Sequence, residues 1–347
     1  MNAQTLLKQL DFIGAVISKK PIVPILEYAL VDNGQLIGSN LRTTLICNTE
    51  IEGTFLIPFH SLRKVVSILP KDVECAFVFE EAYERVVLKT SNGTFTFNDI
   101  PIVGDFPKLP TRQETELGVL NTLDLHRIAA ALEFSALDEL RPAMCGVFIH
   151  EHVVATDGHR LAWFDYSGVV KEKPLLIDRL TASVLSTLGK ASVRFDGNHI
   201  AEFHNDNGHA IITQLIDERF PNYKLTIPAE FDTKVIIARD ALLTGISLGI
   251  QMANKTTRQI LFEFSNKNGL TISTKDLDFD TKFEYTIPCI VKGPDIIIGF
   301  DGVFLKSILG AINTEEVTIK LTKPNKSGVV NDSFLLMPIM ITEYSFA

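Results

Sequence analysis

Short apolar runs recur along the chain, each closed by a turn pair: Asn33-Gly34, Asn92-Gly93, Asp196-Gly197, Asn207-Gly208 and Asn268-Gly269. Such pairs supply the positive φ angles of tight hairpins, so the pattern predicts antiparallel sheet. Between these runs lie stretches with helical periodicity. In the stretch from Phe59, Leu62, Val65, Val66 and Leu69 make an apolar side, and His60, Arg63, Lys64, Ser67 and Lys71 make the opposite one. The stretch from Arg179 repeats this more weakly with Arg179, Ser183, Ser186 and Lys190, and a third carries Lys306 and Ser307 on its outer face. One such face is usually only solvated. Three copies with almost no acids predict a basic surface that contacts phosphate without reading bases.

The order of elements itself repeats. "LIGSNLRTTL" from Leu36, "VVATDGHRLA" from Val153 and "TISTKDLDFD" from Thr271 align on Ile37, Val154 and Ile272, which lie 117 and 118 residues apart. The helical stretches beginning at Ile57, Ile177 and Phe300 are 120 and 123 apart, and Phe106-Pro107 and Phe220-Pro221 are 114 apart. Ordered landmarks at nearly one period predict a tandem of three α+β domains, 1–116, 117–230 and 231–347, each with two helices and an antiparallel sheet.

Composition narrows the function. With 347 residues, 46% hydrophobic and 22% charged, there is ample core for several domains. No apolar run reaches the roughly 20 residues that span a bilayer, and Lys8 and Asp11 interrupt the start, so a cytoplasmic protein with no membrane partner is expected. Four scattered cysteines with no CxxC pair give neither a zinc site nor a disulfide framework, and no cofactor or metal is expected. The net charge of −9 means that any nucleic-acid partner needs a local basic stripe.

Candidate chemistry centres on Asp157, Gly158, His159 and Arg160. A strand runs into Asp157-Gly158, a turn signal, and resumes as "RLAWF". Acid–base catalysis by Asp157 and His159 needs a nucleophile or metal in reach, which the sequence neighbours do not supply. The other repeats read Ser-Asn-Leu and Thr-Lys-Asp there, which favours a turn or binding surface. "GISLG" at 245–249 fits the nucleophile-elbow pattern, but Leu242, Leu243, Ile246 and Ile250 place Ser247 inside a helix, and no histidine follows His209. The pairs His150/His152 and His204/His209 read as hairpin tips, so no catalytic residue is expected.

"VATDGHRLA" closely resembles the middle-domain signature of the bacterial sliding clamps, the beta subunit of DNA polymerase III. "KPIVPIL", "GDFPKLP", "ERFPNY", "GFDGVFLKSIL" and "FLLMPIM" extend the likeness in order along the chain. The resemblance implies the DNA clamp fold, with a homodimer closing into a six-domain ring around duplex DNA. It implies DNA contacts at Lys20 and Arg141, although Pro142 and Ala143 depart from the aromatic residues often found there. It also implies a hydrophobic pocket for peptides of DNA polymerase and the clamp loader, formed by Met144, Thr156, Gly158, His159, Arg160, Leu161, Pro221, Leu225, Thr226, Phe304, Leu335, Leu336, Met337 and Pro338. Leu225, Thr226 and Thr257 differ from the commoner residues, which implies altered peptide preference. Ring closure would pair Phe95 and Phe97 with Gln251 and Met252 of a second copy, a single-chain core being the other reading of the two phenylalanines. The short opening "MNAQTLLKQL" departs from the family pattern and fits a divergent, phage- or plasmid-type member or an unusual bacterial one, and the tail "ITEYSFA" continues past the family's usual end. Two alternatives stay open: a clamp-like peptide scaffold without DNA loading, and a DNA-processing hydrolase using Asp157 and His159.

Overall fold

The computed structural model describes residues 1–112, 115–168, 170, 173–276 and 281–341; the tail after Ile341 lies outside the described residues. Two compact units emerge. The first comprises Met1–Leu132, Gly146–Val153 and Asp165–Glu218; the second comprises Glu133–Cys145, Val154–Phe164 and Arg219–Ala347.

The first unit contains four helices: α1 (Ala3–Ile13), α2 (Phe59–Val66), α3 (Thr122–Leu132) and α4 (Arg179–Leu185). Asn2 starts α1, its side chain accepting the Thr5 amide at 2.8 Å, and Ala3, Leu6, Leu10 and Ile13 bury one face. Helix α1 packs on α2, and α3 on α4. They cover an eight-stranded antiparallel sheet with strand order 54–58, 28–32, 35–39, 43–48, 210–214, 200–204, 191–195, 116–120. Asn33 and Gly34, at φ 45° and 84°, turn the hairpin that pairs Asp32 with Gln35, as the Asn-Gly signal predicts. A three-stranded sheet (76–80, 85–90, 93–97) adds a second layer.

The second unit holds α5 (Arg239–Met252) and α6 (Gly302–Gly310), packed on each other. Its four-stranded sheet orders 281–287, 269–276, 259–265, 296–301, and a second set of strands runs 160–164, 334–336, 328–330, 316–321, 233–238, 289–292. The "GISLG" segment lies within α5, and its glycines serve packing. A Cβ on Gly245 would come within 2.8 Å of Ile272 and 2.9 Å of Ile287, and one on Gly249 within 3.0 Å of Ile260.

The basic stripe from Phe59 is shorter than its periodicity predicts. Helix α2 ends at Val66, and Pro70 cannot continue it, so Lys71 lies outside the helix. Likewise α4 ends at Leu185, a short 3₁₀ turn follows, and Gly189 at φ 70° closes it, leaving Lys190 at the head of the strand from Ala191.

Two partly buried histidines give the first unit a pH dependence. His209 packs edge-on against Phe12 at 4.9 Å, and burial lowers its pKa. Burial, then the Arg194 cation, lowers that of His204, with Glu202 opposing. The unfolded chain therefore binds more protons than the native one as pH falls below the ordinary histidine value of about 6.5. Urea unfolding at pH 5.5 should show lower stability than at pH 7.5, and His209→Leu should flatten that difference.

Candidate functional site

The residues singled out around Asp157 meet in the second unit. Thr156 ends a strand (Val153–Thr156), and Gly158 at φ 87° reverses the chain into the strand Arg160–Phe164. The Asp157 carboxylate builds the turn. Its Oδ1 accepts the amides of His159 at 2.9 Å and Arg160 at 2.7 Å. Its Oδ2 accepts Nε and Nη2 of Arg160 at 2.9 and 2.8 Å. The Thr156 hydroxyl accepts the Gly158 amide at 3.1 Å and donates to the Arg160 carbonyl at 2.7 Å.

Arg160 is the hub. Its Nη1 donates to the Ser307 hydroxyl at 2.5 Å, and its guanidinium lies 4.7 Å from the Phe304 ring centre and 5.2 Å from that of Phe134. Cation–π contacts of this kind gain strength where water is excluded. Phe304 takes a second cation on it, Arg258 at 5.3 Å, and the exposed His159 ring stacks on it at 5.6 Å. Asp301 holds Phe304 in place: its Oδ1 caps α6 at the amides of Val303 and Phe304, and its Oδ2 pairs with Arg258 at 2.9 Å. Phe134, Arg258 and Asp301 were not selected from the sequence; the "FDGVF" cap was the one signal there for Asp301.

The C-terminal strand completes the cluster. Arg160 pairs with Leu336 and Leu161 with Leu335, and the Met337 amide donates to the His159 carbonyl at 2.9 Å. Leu161, Leu335 and Leu336 are buried beneath the surface, whereas Met337 is 42% exposed. Met144 adjoins the turn, its sulfur 4.0 Å from where a Gly158 Cβ would lie, and the exposed Arg141 is also there, with Nη1 3.2 Å from that point. Pro338 follows Met337, and the next amide, of Ile339, donates to the Gly299 carbonyl at 2.8 Å. The carbonyl of Pro221 accepts the Tyr223 amide at 2.8 Å. Leu225, 82% exposed, and Thr226 line a different cleft of about 370 Å³ with Ile227, Pro228, Thr322 and Lys323.

The remaining selected residues lie elsewhere. Lys20, Lys64 and Lys306 are exposed. Arg63 pairs with Asp11 of α1 at 2.7 Å, and Arg179 donates to the Leu132 carbonyl at 3.0 Å. Phe95 and Phe97 sit half-buried on an edge strand, opposite the buried Leu88 and Val86. Gln251 is exposed and Met252 half-buried at the end of α5.

Comparison with known proteins follows this geometry. Residues 224–334 match the family model for the DNA polymerase III beta subunit, C-terminal domain. The beta sliding clamp of Pseudomonas putida is 24% identical and that of Pseudomonas aeruginosa 25%, each aligned over 98% of this chain and 99% of the relative. Among solved structures, a sliding clamp from Pseudomonas aeruginosa bound to griselimycin aligns with a TM-score of 0.88 at 23% identity, covering 98% of both chains. The DNA polymerase III beta subunit from Thermotoga maritima aligns with a TM-score of 0.86 at 21% identity, covering 99% of both. The fold is thus that of the DNA clamps, repeated helix pairs on antiparallel sheet. Within that class the chain is similar over nearly its full length to the bacterial DNA polymerase III beta subunits, the sliding clamps, and its residues 224–334 match the model of their C-terminal domain.

If Asp157 organises this surface, its removal should be felt in stability. Asp157→Ala takes two amide acceptors and an ion pair from a carboxylate whose side chain is only 14% exposed. A loss of about 2 kcal/mol in urea unfolding is expected. His159→Ala, at an exposed ring, should cost less than about 1 kcal/mol.

Proposed function

We propose that this chain is a non-enzymatic processivity clamp. Two copies close head to tail into a ring of six domains, divided at 1–116, 117–230 and 231–347, around duplex DNA. The ring tethers DNA polymerase and receives the clamp loader through the surface at His159, Arg160, Phe304 and Met337. The observation that carries this reading is the full-length likeness to beta sliding clamps, joined to an exposed apolar and cationic cluster suited to a short peptide. A topological tether needs only weak, sequence-independent phosphate contacts, for which Lys20, Lys64 and Lys306 are exposed. Arg141, Lys71 and Lys190 belong to the same set and, like Lys20, lie outside the helices.

A cytoplasmic protein without cofactor fits this role. The Asp157 carboxylate already accepts two amides and pairs with Arg160, which leaves it poorly placed as a base for hydrolysis. A scaffold that binds peptides without DNA loading draws support from one observation: Arg63 is engaged with Asp11 rather than free for phosphate.

Solution mass should be about twice 38.5 kDa. Once loaded by a clamp loader, the protein should remain on nicked circular DNA and run off when the circle is cut. Equal release from both would refute processivity and leave the scaffold. Met337→Asp should weaken binding of a polymerase-derived peptide about tenfold or more, read by fluorescence anisotropy.

A further inference from the structure

The turn at residues 39–44 repeats the backbone bonding of the turn at 156–161, without its Asp157–Arg160 ion pair. Asn40 Oδ1 accepts the amides of Arg42 at 3.0 Å and Thr43 at 2.7 Å, as Asp157 Oδ1 does those of His159 and Arg160. The Ser39 hydroxyl accepts the Leu41 amide at 3.2 Å, as Thr156 does that of Gly158. The Gln214 amide donates to the Arg42 carbonyl at 2.9 Å, as the Met337 amide does to His159. Thr43 pairs with Thr213 where Arg160 pairs with Leu336. Even the helix cap recurs, with Asp178 capping α4 and pairing with Arg42 as Asp301 caps α6 and pairs with Arg258.

Beside this turn, within the first unit, lies a cleft of about 230 Å³. We infer that it is a second docking site, taking an extended acidic peptide through an aliphatic side chain. Leu41, Pro107, Ile200 and Ile212 give it an apolar lining, and Arg42 and Lys108 give it charge; no carboxylate residue lines it among the described residues. Arg42 is 46% exposed with Asp178 at 3.3 Å, and Lys108 is exposed with no ion pair among the described residues. An apolar slot whose rim carries the unpaired Lys108 beside the half-exposed Arg42, with no carboxylate in its described lining, is complementary to an acidic peptide. Duplex or single-stranded nucleic acid would use the cations and leave the apolar lining idle.

The occupant must differ from that of the first surface. Where Phe304 stands three residues beyond its capping aspartate, α4 has Thr181, and Thr43 replaces Arg160. The hydroxyls of Thr43, Thr181 and Thr213 bond one another at 2.9 to 3.5 Å, so no aromatic wall awaits a planar ring. Leu41 adds a second mark. It holds φ 74° where its counterpart is glycine, and it is 53% exposed. A bulky apolar residue kept in the left-handed region at a surface is a costly choice that the turn alone does not require.

The inference rests on the first surface being a peptide site only for its analogy, and the two fail separately. The probe is a fluorescein-labelled, acetylated and amidated Glu-Leu-Asp-Val-Glu-Leu peptide, with a counterpart carrying lysine at each acidic position, titrated by anisotropy against the full chain. The acidic peptide should bind Met337→Asp protein unchanged, and about tenfold more weakly to Lys108→Glu and to Leu41→Asn. Asparagine tolerates the left-handed backbone, and Lys108 makes no contact that folding needs, so both variants should melt like the parent. The lysine peptide should not bind. Acidic-peptide binding that survives both cleft variants, or that Met337→Asp abolishes, overturns the inference. So does a labelled oligonucleotide that loses affinity in Lys108→Glu while the peptide does not. If Met337→Asp leaves a polymerase-derived peptide unaffected, the first reading falls and this one stands.

Discussion

The ion pair of Arg160 with Asp157 ties together three segments that are far apart in the chain. One carboxylate oxygen sets the turn through two amides, and the other fixes the guanidinium, which then reaches Ser307 of α6 and spreads over Phe134 and Phe304. A lysine in its place would offer a point charge and lose both the forked geometry and the ring stacking. The surface that presents His159 and Met337 depends on this pair, because the His159 carbonyl receives the Met337 amide only when the turn is closed.

That arrangement also explains why an acid, a histidine and a cation adjacent in sequence build a closed turn. Their polar capacity is spent on one another and on the backbone. What remains outward is an imidazole and a thioether beside a half-buried phenylalanine, groups suited to burying an apolar side chain. Chemistry needs an unsatisfied group aimed at a substrate, and this turn has satisfied its acid.

Much of the fold was legible because its signals are local. Asn33-Gly34 dictated a hairpin, and the apolar spacing around Ser247 dictated a helix that defeats the nucleophile-elbow pattern. The helix stripe from Phe59 was overextended, since residues 67 to 71 keep the right spacing while Pro70 stops the helix. The cluster around Arg160 was legible in its strand residues. It was not legible in Phe134 and Arg258, whose roles depend on contacts between separate segments of the chain, and those carry no periodicity. The family likeness marked Leu225 and Thr226 for the same pocket, and in the structure they line a cleft with Ile227, Pro228 and Thr322.

The eight-stranded sheet of the first unit has a consequence for how the chain comes apart. The strand Thr43–Asn48 pairs with Ala210–Gln214, far along the chain, through a continuous register of four residues. Segments that share one ladder do not melt as beads on a string; they form a single cooperative block. A fragment cut near residue 116 would bare the strand 43–48, whose residues Thr43 to Cys47 are buried, as an unpaired apolar edge. Edges of that kind recruit neighbours. The hydrogen-bond ladder therefore makes chain on both sides of residue 116 one folding unit.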